Sequence, residues 1–414
     1  MSLSLSLTAV PRQVWVQAAG RGLYQLGSAV LLFYMPIVFV NYSGFSATQV
    51  GLATSAGAVS GFFGNLLGGS LTDSPQFGRR KTLIVSGIAA IITATLTSFS
   101  QALWLLVVAN LFFGISTGLY WTAADAAVMD ATPSEQRQEA FSVLGVMDNL
   151  GFGLGTLGGG LLLVRLPSAI QIFAAAAVLF TLFTLLITTA AEDQRDASVE
   201  IPAAQAGWKQ ALTDRKLLIY LLVNTLFIVY MALVNGSLPL YFVNFIGTPE
   251  LRVSSLFTWG FIGLGAVVQV PVVKALARLS YLQSLMLSLG IWGMGFLLVW
   301  LSGTLALASS WAEFGIFALF AVAAIIYKPT SAAWIAELAP NSLRGIYTAI
   351  AYQCWAIGYV IAPIAGGWAL DQPRRVTDLF WLAVALSTLA GLLVLLALQR
   401  RDQAEIKPVA LPEA

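Results

Sequence analysis

The chain has 414 residues, of which 58% are hydrophobic and 10% charged, and its formal net charge is +2. So little polar surface cannot cover a water-soluble body of this size, and so small a net charge, with its basic residues scattered, argues against a nucleic-acid partner. The lipid bilayer is the solvent this composition fits.

Long uncharged runs mark the spans. Residues 22–72 are a run of 51, 82–124 of 43 and 217–249 of 33, while 253–273 and 379–399 hold 21 each; a span needs about 20. The ten-residue, period-two segments of a closed barrel do not occur, so helices must satisfy the backbone internally. The expected fold is an all-α integral membrane protein with twelve transmembrane helices, at 15–40, 48–72, 81–99, 102–129, 138–164, 168–191, 216–245, 252–277, 280–301, 309–338, 342–370 and 376–399. They form a six-helix bundle at 1–191, a hydrophilic cytoplasmic linker at 192–215, a second six-helix bundle at 216–399 and a polar cytoplasmic tail at 400–414.

Placing both termini on one side puts about 16 of the 21 Lys and Arg residues there, against Arg165, Arg252, Arg374 and Arg375 opposite. The positive-inside rule makes that side cytoplasmic, in the cell (inner or plasma) membrane. The start lacks the basic, apolar and small-residue pattern of a removable signal. Cys354 is the single cysteine and histidine is absent, so proton coupling would have to use carboxylates.

In the first span Gln17, Arg21, Gln25 and Ser28 recur at helical spacing, with Tyr24 alongside. Such a stripe either contacts neighbouring helices or lines a cavity, and Arg21, near the cytoplasmic end, can snorkel. Between the second and third spans the loop GGSLTDSPQFGRRK carries Gly69, Asp73, Gly78, Arg79, Arg80 and Lys81. It resembles the signature Gly-x-x-x-Asp-(Arg/Lys)-x-Gly-x-(Arg/Lys)-(Arg/Lys) of the major facilitator superfamily. Two departures weaken the match to the full charge relay: Asp73 and Gly78 lie five apart rather than three, and Ser74 replaces a basic residue.

The fourth span sets Asn110, Thr117, Trp121 and Asp125 on one face, preceded along the helix by Tyr120 for Trp121. A lone Asp in a span costs roughly 2.5–3.5 kcal/mol, so Asp125 should face protein or water. Proton antiporters of the resembled family often carry Arg four residues before a glycine here; this chain has Asn110 before Gly114. Beyond the span, Asp130 and Arg137 flank a turn, and the resemblance implies latch contacts with Arg79 and Arg80 at the cytoplasmic gate; helix capping is the alternative.

The fifth span reads Gly151-x-x-x-Gly155-x-x-Gly158-Gly159-Gly160, a surface for close helix packing. It is also similar to the antiporter signature of that family, with Thr156 in place of proline. Residues 133–160 then return 207 positions later as 340–367. Pro133 falls on Pro340, Asp130 on Glu337, Arg137 on Arg344, Gly151 on Gly358 and Gly159 on Gly366, and the copy supplies Pro363. MPIVFVNYSG at 35–44 returns as LPLYFVNFIG at 238–247 with an offset of 203. Two repeated halves in so apolar a chain point to a transporter with a pseudo-twofold axis.

Asp148 lies eleven residues beyond Arg137, about 16 Å at 1.5 Å per residue, and Lys328 nine residues before Glu337, about 13 Å. Similar depth makes Lys328 a candidate partner for Asp148 or Asp125, either as a fixed structural pair or as a site that switches. Tyr24, Tyr120, Trp121, Tyr327 and Trp355 would supply cavity walls, with Asn224 and Asn235 on a polar stripe of the seventh span.

The expectation is a monomeric secondary transporter, not an enzyme, without cofactor or metal, embedded in lipid and working by alternating access. The resemblance to the drug:proton antiporter branch implies proton-coupled export of amphipathic small molecules. The alternative is transport of an anionic metabolite or lipid through Lys328; a membrane receptor or enzyme is remote, since no histidine, cysteine cluster or phosphate-cradling loop is present.

Overall fold

In the computed structural model, residues 11–74, 76–133, 136–192, 205–276, 278–305, 309–340 and 343–406 are described, without the side chains of 138, 205–208 and 402–406. Twelve helices among them are long and apolar enough to cross a membrane. They are α1 (Arg12–Asn41), α2 (Ala47–Asp73), α3 (Gly78–Ser98), α4 (Leu103–Asp130), α5 (Arg137–Arg165), α6 (Ala169–Ala190), α7 (Arg215–Ile246), α8 (Glu250–Leu276), α9 (Tyr281–Thr304), α10 (Ser310–Leu338), α11 (Arg344–Leu370) and α12 (Arg374–Arg401). No strand occurs among the described residues. Much of the expected linker, 193–204, lies outside them, and its end forms a short helix, Gln205–Thr213.

Two expected spans are not uniform helices. In α7 the Leu238 N–H bonds the Leu233 carbonyl five residues back, and the Gly247 N–H bonds Phe242, giving two wide π-turn segments, Leu233–Ser237 and Phe242–Ile246. Pro239, which has no N–H, sits between them; the wider turns re-pair carbonyls that a proline strands. Gly247 closes the helix at φ +82°, a left-handed conformation that glycine adopts without strain. α8 holds a third such segment, Phe257–Gly263. The repeat mate of Pro239 is Pro36, and α1 passes through it as continuous α-helix.

The chain packs as two compact units. Unit 1 takes residues 1–201 with 232–266 and 359–373; unit 2 takes 202–231, 267–358 and 374–414. The units and the repeat are different partitions, because the ends of α7, α8 and α11 pack on first-half helices. Within unit 1 the small-residue seam of α2 and α4 is tight: a Cβ on Gly114 or Gly118 would strike the α2 backbone at Gly57 or Gly64.

Pseudo-symmetry is written into the hydrogen bonds of unit 1. The Asn41 amide donates to Asn244 and the Asn244 amide donates back, both at 2.9 Å, and these two residues are repeat mates. The Thr258 hydroxyl of α8 donates to the Gly153 carbonyl of α5 at 3.2 Å, while Ser55 of α2 donates to Val360 of α11 at 2.9 Å. Both partners of the second bond are repeat mates of those in the first. Gly51 of α2 admits the Pro363 carbonyl where a Cβ would clash, and Gly159 and Gly366 face the repeat mates Tyr34 and Ser237.

At the end of unit 1 where these contacts gather, α2 begins in a full cap. The Ser46 hydroxyl accepts from the Gln49 N–H, the Gln49 side chain accepts from the Ser46 N–H, and the Asp371 carboxylate accepts from Ala47 and Thr48 N–H at 2.7 and 2.8 Å. Nearby, the Tyr42 hydroxyl donates to Glu250 at 3.1 Å.

Candidate functional site

Three charges that are far apart in sequence converge in unit 1. Gly151 of α5 lies where a Cβ would strike the Gly22 carbonyl and Gln25 of α1, so the two backbones close together. That approach carries Asp148, one turn earlier on α5, to Arg21 of α1. The Arg21 Nε donates to Asp148 Oδ1 at 2.8 Å, and its Nη1 donates to Asp125 Oδ1 of α4 at 2.9 Å. The rigid fork of a guanidinium suits two acceptors on different helices. Trp121, one turn before Asp125, holds its ring 4.6 Å from the Arg21 Cζ, a cation–π contact.

Burial is unequal within this triad. The Arg21 side chain is 9% exposed, Asp148 23% and Asp125 41%. The arginine is therefore locked between helices while both carboxylates keep an open edge. With all three ionised the charges sum to minus one, so a single positive charge, on a proton or on a cationic centre, would neutralise the site.

An aromatic wall stands behind the arginine. Tyr24 stacks on Tyr120 with ring centroids 3.7 Å apart, and both rings are buried. The Ser116 hydroxyl donates to the Ser86 carbonyl at 2.8 Å, so the 2.9 Å bond between Tyr24 and Ser116 has Tyr24 as its donor. This chain of bonds ties α1, α3 and α4 together.

The structure brings Asp125, Asp148, Trp121, Tyr24, Tyr120 and the half-buried Gln25 into this one region. Both carboxylates bind Arg21, which the sequence left as a residue able to snorkel. Its signal was its place on the polar stripe with Gln17 and Gln25. Asn110 goes elsewhere: its amide donates to the Leu106 carbonyl at 2.8 Å and faces the Met35 Sδ at 3.4 Å in buried packing. It is fifteen residues before Asp125 on the same helix, about 22 Å away.

Unit 2 holds a neutral counterpart. Asn224 Oδ1 accepts from the Tyr327 hydroxyl at 2.7 Å and from Ser331 at 3.0 Å, Tyr220 donates to Ser331 at 2.7 Å, and the Asn224 amide reaches the Ala351 carbonyl at 3.4 Å. Phe227 stacks on Tyr327 at 4.2 Å. Lys328, next in sequence, is exposed, and Trp355 is half-buried. Asn235 belongs to unit 1, where its amide donates to the Tyr359 hydroxyl at 3.2 Å.

The signature loop also forms an ionic knot. Arg79 donates to Asp73 at 3.0 Å and to Asp130 at 2.9 Å, and also reaches the Thr72 carbonyl. Gly78 begins α3 at φ +72°. Arg80 bonds the Thr188 carbonyl of α6, and Arg137 reaches the Met129 carbonyl at 3.5 Å. Asp130 thus turns to Arg79 rather than to the arginine across its own turn. The copies Glu337 and Arg344 are exposed.

Residues 18–281 and 231–413 match the Major Facilitator Superfamily, and the chain belongs to that family. It is a multi-pass membrane transporter, not an enzyme. Among its relatives is the Multidrug resistance protein MdtH of Salmonella typhimurium strain LT2, 25% identical over 384 residues that cover 90% of each chain. The MdtH of Salmonella newport strain SL254 aligns equally well. Among solved structures, the nucleoside transporter NupG superposes with a TM-score of 0.81 at 13% identity, over 94% of this chain and 99% of that one. The peptide transporter POT in complex with alafosfalin superposes with 0.79 at 14% identity, over 96% of each. At such identities these two structures speak for the fold alone.

Proposed function

We propose that this transporter exports amphipathic small molecules in exchange for protons, by alternating access, from a cell membrane in which both termini are cytoplasmic. The observation that carries the reading is the net-negative triad of Arg21, Asp125 and Asp148. A proton and a cationic group would compete for the same open carboxylate edges, which is the exclusion an exchanger needs. In this reading Arg21 stays ionised and positions the carboxylates, one of which gives up its proton to one side as the other ligand arrives. The likeness to MdtH proteins supports the multidrug assignment. Arg79, Asp73 and Asp130, with Arg80 and Arg137, serve as the cytoplasmic gate, whose ion pairs break and re-form during the cycle.

The test is flux in proteoliposomes across an imposed pH gradient, with a panel of cationic, neutral and anionic compounds. Uptake of cationic and neutral amphiphiles should follow the gradient and collapse with a protonophore. Flux that ignores pH overturns the proton mechanism.

One observation favours a second reading. Lys328 is exposed on a membrane-spanning helix beside the Asn224–Tyr327 network, a placement suited to an anionic group on a metabolite or lipid. Under this reading Lys328→Ala abolishes anion flux only; equal loss for every compound class removes it.

A further inference from the structure

The Asp371 carboxylate lies at the far end of unit 1 from the triad and takes no part in the exchange just described. It follows α11 directly, yet both of its oxygens accept backbone N–H groups at the start of α2, Ala47 at 2.7 Å and Thr48 at 2.8 Å, 324 and 323 residues away. With Ser46 holding the Gln49 N–H and the Ser46 carbonyl holding Val50, every donor of the first turn of α2 is satisfied. Two of those four bonds are supplied by the residue just past the end of α11. A carboxylate at a helix N-terminus also meets the positive end of the helix dipole.

The arrangement is one-sided. The repeat mate of Asp371 is Val164 on α5, and the helix that α5 adjoins, α8, starts behind Pro249 with no side-chain cap. Two other contacts here are matched across the repeat, Ser55 to Val360 against Thr258 to Gly153 and Asn41 against Asn244, while the exposed Tyr42–Glu250 bond has no counterpart. Matched hydroxyl and amide bonds cannot make one half of the closure stronger than the other; Asp371 can.

We propose that Asp371 is the lock of this end of the transporter: its bidentate hold on α2 sets how long α2 and α11 stay together, and the closure opens by release of Ala47 and Thr48. The inference rests on the alternating-access reading of the chain as a transporter, and on no assumption about substrate or coupling ion. Opening of α2 from α11 uncovers Ser55, which is buried against the Val360 carbonyl. It also leaves a bare carboxylate and two unpaired N–H groups for water to satisfy, so removing the carboxylate favours the parted form.

The experiment uses the full chain in membranes, with Cys354 replaced by Ala so that Ser55→Cys is the one thiol, and measures the rate of its modification by a membrane-impermeant maleimide. Loss of two charge-assisted bonds should raise the rate about tenfold in Asp371→Ala and several-fold in Asp371→Asn, which keeps one acceptor. Glu250→Gln, at the exposed Tyr42 contact, should leave it unchanged. Equal rates for the Asp371 protein and Asp371→Ala overturn the lock. If Asp371→Ala does not reach the membrane, an unchanged rate in Asp371→Asn overturns it, and so does a thiol that stays unreactive in every folded variant while reacting in denatured protein. Because labelling needs no substrate and no pH gradient, a failure here is separable from a failure of proton exchange.

Discussion

The two halves build the same aromatic and polar frame and put opposite chemistry into it. In the first half Tyr24 stacks on Tyr120, and Arg21 binds two carboxylates. In the second half their repeat mates Phe227 and Tyr327 stack in the same way, but Asn224 stands where Arg21 would be, and Ala332 and Trp355 where Asp125 and Asp148 would be. Asn224 binds only neutral partners. One duplicated scaffold thus yields an ionic centre and a neutral one. A buried charge needs partners at fixed positions, whereas an amide can settle among hydroxyls. The lesson is that the ionic cluster of one copy of the scaffold is replaced by amide and hydroxyl groups in the other, with Lys328 exposed beside them.

This contrast can be broken at its strongest point first. Arg21→Ala leaves two carboxylates without their cation, and breaking a buried pair costs about 3–5 kcal/mol, so gradient-driven flux in proteoliposomes should fall by more than about a hundredfold. Asn224→Ala should lose only severalfold; equal losses would mean that the two centres do the same work. Next, Asp125→Asn and Asp148→Asn separate the carboxylates. The one that cycles the proton should lose pH-driven flux by roughly tenfold to a hundredfold yet keep substrate counterflow, since its removal from a low-dielectric pair abolishes coupling rather than binding.

Smaller effects sharpen the neutral side. Tyr327→Phe removes one of the two donors to Asn224 and should lower unfolding stability by about 1 kcal/mol, read as a shifted thermal midpoint in detergent. Asn41→Ala, at an exposed bond, should change Ser55→Cys labelling by no more than about threefold. The pH response of the Asp371 cap should be smaller still. Burial draws this carboxyl upward, but hydrogen bonds from Thr48 and from the Ala47 N–H outweigh that and hold it below the ordinary carboxylate value. A lowered pKa means the cap is complete above the reference value of about 3.9 and is lost only as pH falls through the lowered one. The ratio of the Asp371→Ala labelling rate to that of the Asp371 protein, in which the ionisation of the Ser55→Cys thiol cancels, should therefore be flat from about pH 5 to 9, a range across which proton-coupled flux changes.

Much of this architecture was legible in the residues. Uncharged runs located twelve spans because a bilayer tolerates little else, and the loop from Asp73 to Lys81 carried the family resemblance despite its lengthened spacing. Pairing was less legible. Asp125 and Asp148 each announced the need for a partner, but that Arg21 reaches both required the register of α1, α4 and α5, the first and last of which close together at Gly22 and Gly151. Asn110 was legible only as a position, standing four residues before Gly114 where antiporters of the family often carry arginine; that its amide packs on Met35 and bonds Leu106 follows from the fold. The wide turns of α7 had a local cause in Pro239, yet Pro36 causes none in α1, so proline alone could not have told where they fall.

The reciprocal bond between Asn41 and Asn244 bears on how such a chain came to exist. A primary amide is self-complementary, able to give and take one hydrogen bond with an identical group. An ancestral half-length protein with asparagine at that position could therefore have joined two copies of itself with no new side chain invented for the seam. Once the copies were fused, a change at either position would hand the other amide to water, so the bond marks a seam where the two copies still meet as equals.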